Sequence, residues 1–140
     1  MTIGYGVFDS CSNLESVTIG NSVTTIGNYA FTVCYSLTSV TIPDRVTTIG
    51  EGVFERCRSL TSVTIGNSVT MIGNRAFFSC DSLTSVYCKA TTLPTLGGSS
   101  VFDANVAGRK IYVPAASVEE YKAAENWSGY AADIVGYNFE

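Results

Sequence analysis

Histidine is absent from this chain, and with it go the commonest general base and the commonest metal ligand of proteins. Charge is scarce as well. Asp, Glu, Lys and Arg supply 14% of the residues, against about a quarter in ordinary soluble domains. The formal net charge is -4 and the basic residues are scattered singly, so no patch exists to neutralise a run of phosphates, which argues against nucleic acid as a partner. No apolar run reaches the length of about 18 residues that a bilayer demands, so no membrane insertion is expected of these residues. The carboxylates do not pair for acid–base work. Asp9, Glu55 and Asp81 stand alone in polar loops, and Glu119 and Glu120 open a helix, where solvation or a favourable helix-end charge accounts for them. No P-loop, GxSxG or GxGxxG context occurs. The reading is of a non-enzymatic protein that needs no cofactor and no metal.

Ser, Thr, Gly and Asn take the place of charge, and they do so periodically. The stretch Ser59 to Phe77, SLTSVTIGNSVTMIGNRAF, has near-copies at a spacing of 23 residues. Ile3, Ile26, Ile49 and Ile72 keep that spacing, as do Phe8, Phe31, Phe54 and Phe77, and Leu14, Leu37, Leu60 and Leu83. Val17, Val40, Val63 and Val86 form another such file, and Cys11, Cys34, Cys57 and Cys80 a further one. A period of this length specifies a solenoid, in which each rung buries its apolar face only against its neighbours.

Within one rung, from Leu37 to Cys57, LTSVTI places Leu37, Val40 and Ile42 inward and Ser39 and Thr41 outward, the alternation of a half-buried strand. Pro43-Asp44, or Gly20-Asn21 and Gly66-Asn67 in the neighbouring rungs, makes a corner. A second extended piece, Val46 to Ile49, follows. Gly4, Gly27, Gly50 and Gly73 then punctuate every rung, which predicts either positive φ or close backbone approach. Val53, Phe54 and Cys57 are spaced three to four apart, which predicts one helical turn.

The pattern I-G-x-x-A/V-F-x-x-C-x-S/N-L-x-S-V-x-I-P/G-x-x-V-T-x-I-G resembles the bacterial leucine-rich repeats of the BspA-like type, over Thr2 to Val86 or about three-fifths of the chain. The fold class expected is therefore an α/β solenoid. It is a right-handed leucine-rich-repeat coil of 23-residue repeats, with short parallel strands, short helical turns and a C-terminal helical cap. The resemblance implies a cell-surface or secreted protein, and adhesion to host or neighbouring-cell proteins, extracellular matrix components included.

Three segments are expected: four repeats over residues 1–90, a degenerate fifth over 91–114, and the cap over 115–140. After Val86 the register falters, because Cys88 replaces a strand isoleucine and Leu93-Pro94-Thr95-Leu96 carries an extra residue. Phe102, Ile111, Val113 and Pro114 restore the earlier offsets, with Gly108 where leucine should stand. Ser117-Val118-Glu119-Glu120 reads as a capping box, and Tyr121, Ala124 and Trp127 follow at helical spacing. Tyr130, Ile134, Tyr137 and Phe139 extend the apolar supply for covering the last rung. At the other end, Thr2-Ile3-Gly4 matches Thr48-Ile49-Gly50, so the chain opens in mid-rung. A longer parent protein with earlier repeats and the signal outside these residues is expected.

Five cysteines invite a disulfide or zinc reading. In-register strands lie about 4.8 Å apart, but side chains stacked that way hold their Cβ atoms well beyond the roughly 3.8 Å that a disulfide wants. A straight file of thiols is also unlike a tetrahedral zinc site. The cysteines are read as small buried apolar residues whose S–H groups reach neighbouring carbonyls.

The outward stripe carries the functional expectation. Ser16 and Thr18, Ser39 and Thr41, Ser62 and Thr64, and Ser85 and Tyr87 should lie side by side on one sheet face, the extended surface with which solenoids bind partners. Exposed Thr also suits strands for structural reasons alone. Tyr87 interrupts the stripe and is the aromatic anchor to test. Arg56, Arg58 and Arg75 form a basic group at the side edge. A monomeric interaction module of adhesin type is expected, with a ligand-free spacer or stalk as the rival and a flat ice-like lattice as a remote one.

Overall fold

The computed structural model describes residues 1–139. Ten short strands run along the chain: β1 (Thr2–Ile3), β2 (Thr25–Ile26), β3 (Ser39–Ile42), β4 (Thr48–Ile49), β5 (Ser62–Ile65), β6 (Met71–Ile72), β7 (Ser85–Cys88), β8 (Thr95–Leu96), β9 (Lys110–Pro114) and β10 (Ile134–Tyr137). They form two parallel five-stranded sheets, ordered β1-β2-β4-β6-β8 and β3-β5-β7-β9-β10. The register is set by the repeat: Thr25 pairs with Thr48, and Ser39 with Ser62 and then Ser85, each 23 residues on. Beyond β7 it widens, with Met71 opposite Thr95 and Ser85 opposite Lys110, which absorbs the irregular stretch before Phe102. The chain is a solenoid whose stacked rungs carry two parallel sheets.

Equivalent apolar side chains pile into columns between the sheets. Leu37, Leu60 and Leu83 are fully buried, as are Ile26, Ile49 and Ile72. The rings of Phe8, Phe31, Phe54, Phe77 and Phe102 stack in one file, with centroids 5.1, 5.4, 5.5 and 5.4 Å apart and planes within 12° of parallel. Buried cysteines line the same interior. Cys34 Sγ donates to Phe8 O (3.3 Å), Cys57 Sγ to Phe31 O (3.2 Å) and Cys80 Sγ to Phe54 O (3.1 Å), so each thiol ties its rung to the one before. All five cysteines are free thiols.

The third side of each rung departs from the sequence reading. No helix forms over Val53 to Cys57; the segment is a run of turns. Its backbone is left-handed at two places per rung: Tyr29 and Val33, Gly52 and Arg56, Arg75 and Ser79, with φ between 58 and 63°. Left-handed residues cannot continue a right-handed helix, and a β-branched residue such as Val33 adopts that region only under constraint. The constraint is a further inter-rung ladder. Phe8 N–H donates to Ala30 O, Phe31 to Val53, Phe54 to Ala76 and Phe77 to Val101, all at 2.8 to 2.9 Å. Amides committed to the next rung are unavailable for i→i−4 bonds. The repeated glycines just before these turns serve close approach and do not need positive φ: a Cβ on Gly27 would lie 2.9 Å from the backbone of Gly4, and one on Gly50 2.7 Å from Asn28 N.

After Pro114 the chain covers the last rung with a 3-10 turn (Ala115–Ser117), a helix α1 (Val118–Ala123), a 3-10 helix (Trp127–Asp133) and strand β10. Ser117 does precede α1, but its hydroxyl makes no capping bond, and the chain leaves the helix at Ala124, so Trp127 belongs to the next element. Trp127 and Tyr130 pack on Phe102, the end of the ring file, at 5.9 and 5.4 Å. Trp127 Nε1 donates to Pro94 O (2.8 Å), and Tyr130 Oη accepts the Phe102 amide (3.1 Å). Arg109, beside the missing leucine, is buried and spans both parts, donating to Phe102 O (2.7 Å) and to Asp133 Oδ2 (2.8 Å).

Leu60→Ala removes a side chain with no solvent exposure from a middle rung and should cost about 2 to 5 kcal/mol in denaturant unfolding; a loss under about 1 kcal/mol would show that the columns are not close-packed. The thiols also predict a pH dependence. Burial pushes Cys80 from an ordinary 9.0 up to about 12. Burial likewise raises Cys88, Tyr121 and Tyr130. Above pH 9.0 the unfolded chain sheds a thiol proton that the folded chain keeps until about 12, so stability is fully present below that window and falls across it. Unfolding midpoints that stay level across the window would mean that the thiol is solvated.

Candidate functional site

In the second sheet, outward positions of β3 are exposed while their neighbours are buried, Ser39 and Thr41 alternating with Val40 and Ile42, and β5 and β7 alternate in the same way with their outward positions half-buried. The pairing places Ser39, Ser62 and Ser85 in one row and Thr41, Thr64 and Tyr87 in the next. Ser16 and Thr18 are exposed and keep the alternation, with Ile19 buried, but they precede the first assigned strand of this sheet. Together with Ser39 and Thr41 they line a concavity of about 760 Å³ whose far side carries Asp44, Arg45 and Lys89. The Asn67 amide, donating to Asp44 Oδ1 at 3.0 Å, and Lys89 Nζ at 3.2 Å hold the Asp44 carboxyl below the usual carboxylate range.

The chain's hydroxyls fall into two groups. Some are bound into the scaffold: Thr47 Oγ1 donates to Thr24 O (3.2 Å), Thr70 Oγ1 to Thr47 O (3.1 Å), Thr61 Oγ1 to Thr38 O (3.1 Å) and Thr84 Oγ1 to Thr61 O (3.1 Å). Among the described residues those on the sheet face are not so used. Ser16, Thr18, Ser39, Thr41, Ser62 and Thr64 turn their hydroxyls outward, and none of them closes a bond to the protein, whereas Ser85 Oγ lies 3.5 Å from Thr84 Oγ1. The predicted stripe thus carries hydroxyls that the fold leaves available, as do Thr25 and Thr48 of the first sheet.

Tyr87 is no isolated interruption. Its strand partner Tyr112 stacks on it at 4.9 Å and 13°. Tyr137 stands edge-on to both rings, at 5.4 and 5.6 Å, and packs against Phe139 at 4.8 Å. Sequence reading assigned Tyr137 and Phe139 to the cover of the last rung, yet Tyr137 lies 43% exposed on the sheet face, because β10 pairs with β9 and carries it there. Tyr112 was legible in principle, since it sits one residue past Ile111 in the restored offsets. Thr64, Tyr87, Tyr137, Asn138 and Phe139 line a second, shallower concavity of about 360 Å³.

The basic group at the side edge is largely neutralised. Arg75 Nε pairs with Glu55 Oε1 (2.8 Å) and lies over the Phe78 ring, while Arg58 pairs with Asp81 (3.7 Å) and lies over Tyr35. Among the described residues, no three His, Cys, Asp or Glu side chains converge as metal ligands.

A family model described as a BspA type leucine rich repeat region matches residues 1–122 in 6 copies. No curated protein matches the chain. Among solved structures, a leucine-rich repeat protein from Bacteroides ovatus ATCC 8483 is similar at 22% identity and a TM-score of 0.47, over 80% of this chain and 42% of that one. The chain thus spans less than half the length of that protein.

The two hydroxyl groups should separate on substitution. Thr47→Val removes a bonded hydroxyl and should lower unfolding stability by about 0.5 to 1.5 kcal/mol, while Thr41→Val, at an exposed strand position, should leave it within about 0.5 kcal/mol of the parent. Equal losses in the two variants would mean that the face hydroxyls are structural too.

Proposed function

The chain belongs to the BspA-type leucine-rich repeat family, and from that premise we propose that it is a non-enzymatic protein-interaction module that works through the outer face of its second sheet. Its partners are proteins of a host or a neighbouring cell, matrix components included. It acts as a monomer, outside the cell or at its surface.

The observation that carries this reading is the continuity of the face, with Ser and Thr rows kept in register over successive strands up to the tyrosines. A face of Ser and Thr with uncommitted hydroxyls, ending in a tyrosine cluster, combines adaptable hydrogen bonding with rigid amphipathic rings, the mixture that serves binding surfaces elsewhere. The scarcity of charge on the stripe favours recognition by shape and hydrogen bonds spread over several rungs, with the Asp44–Lys89 corner as a polar rim.

The test is solid-phase binding of the full chain to a panel of purified extracellular-matrix proteins and to intact host cells. Binding is expected, weakened about tenfold or more (about 1.4 kcal/mol) by Thr18→Arg or Thr41→Arg and unchanged by Thr47→Val. A parent chain that captures nothing from either panel is a spacer, and this reading then fails.

A further inference from the structure

The tyrosine cluster creates a step in the sheet face. Rows of Ser and Thr run level from Thr41 to Thr64, and the next strand raises a full ring at Tyr87. One face of that ring is covered by Tyr112, and its upper edge meets Tyr137. The opposite face looks back over Thr64, whose side chain is too short to cover it. Thr64 is the floor of the concavity, the Tyr87 ring is its wall, and Tyr137 and Phe139 rise beside it.

We propose that this cleft is a carbohydrate subsite that takes one neutral pyranose ring, stacked on the free face of Tyr87 with its hydroxyls toward Thr64 and Ser62. The chemistry of the lining selects the ligand. A purely apolar group would bury the Thr64 hydroxyl without a partner, at a cost. An ionic group finds no opposite charge among the described residues that line the cleft, all of which are uncharged. A peptide main chain has no strand edge to join here, since β7 is paired on one side with β5 and on the other with β9. A pyranose offers what remains: a face of C–H groups, attracted to the electron-rich face of an aromatic ring, bordered by hydroxyls that both donate and accept. The volume of about 360 Å³ suits a ring of that size with room for the next sugar over the Ser and Thr rows.

The assignment shares Ser62, Thr64 and Tyr87 with the protein-interaction face but does not rest on that reading, since a sugar can bind here whether or not the wider face takes a protein. Its test is saturation-transfer NMR and calorimetry on the full chain with neutral trisaccharides of glucose, galactose, mannose and N-acetylglucosamine, and a galacturonic acid trisaccharide as the charged counterpart. At least one neutral trisaccharide binds, with transfer concentrated on the C–H protons of one ring, and the acidic one does not. Tyr87→Ala weakens binding by about tenfold or more. Thr64→Tyr extends the tyrosine column by one strand, fills the cleft and abolishes binding in a chain whose packing is otherwise intact. Thr47→Val, which removes a hydroxyl bound into the scaffold away from the face, leaves sugar binding unchanged. Silence of all the neutral sugars, equal binding of the acidic one, or binding that survives Thr64→Tyr overturns the proposal. So does loss of matrix-protein capture in Thr64→Tyr when no sugar binds, because the cleft then receives a partner's side chain.

Discussion

Every rung of this protein depends on backbone amides that point along the solenoid axis and find their carbonyls one rung away. The two sheets do this in the ordinary manner of parallel strands, and the turn segments do it through the amides of Phe31, Phe54 and Phe77. Because buried amides left without partners are costly, the rung spacing is fixed on all three sides at once. That spacing is what places phenyl rings 5.1 to 5.5 Å apart and thiols within reach of the preceding phenylalanine carbonyl. The ring stack and the thiol bonds are thus consequences of the backbone ladder.

The columns were legible in the sequence because burial imposes residue type: a position facing the interior of every rung accepts Leu, Ile, Val, Phe or Cys, and the spacing exposes it. The turn conformation was not legible. The left-handed positions are occupied by Tyr29, Gly52 and Arg75 on one row and by Val33, Arg56 and Ser79 on the other, a set with no common chemistry, since the conformation is dictated by neighbouring rungs and not by local preference. The repeated glycine suggested two causes, and only close approach operates. The spacing of Val53, Phe54 and Cys57 matched a helix because consecutive tight turns bring the same positions inward.

The face shows a similar division. Its Ser and Thr rows followed from strand alternation alone. The tyrosines were harder to place, because two irregularities in spacing separate Tyr87 from Tyr112, and because Tyr137 arrives on a strand that the composition of the last segment did not announce. Uncommitted hydroxyls are likewise indistinguishable in sequence from those that brace the scaffold. Thr41 and Thr47 are the same residue six positions apart, and only coordinates separate the outward hydroxyl from the one bonded to Thr24.

The ring file has two unlike ends. At Phe102 it is sealed by Trp127 and Tyr130 and braced by the buried Arg109, whereas at the other end Phe8 is 37% exposed and Tyr5 and Val7 more so. In a linear array each unit leans only on its neighbours, so the seal formed by Trp127, Tyr130 and Arg109 acts first on the Phe102 rung beneath it. The same segment carries β10 and with it Tyr137, so the aromatic end of the sheet face keeps its shape only while this cover stays docked.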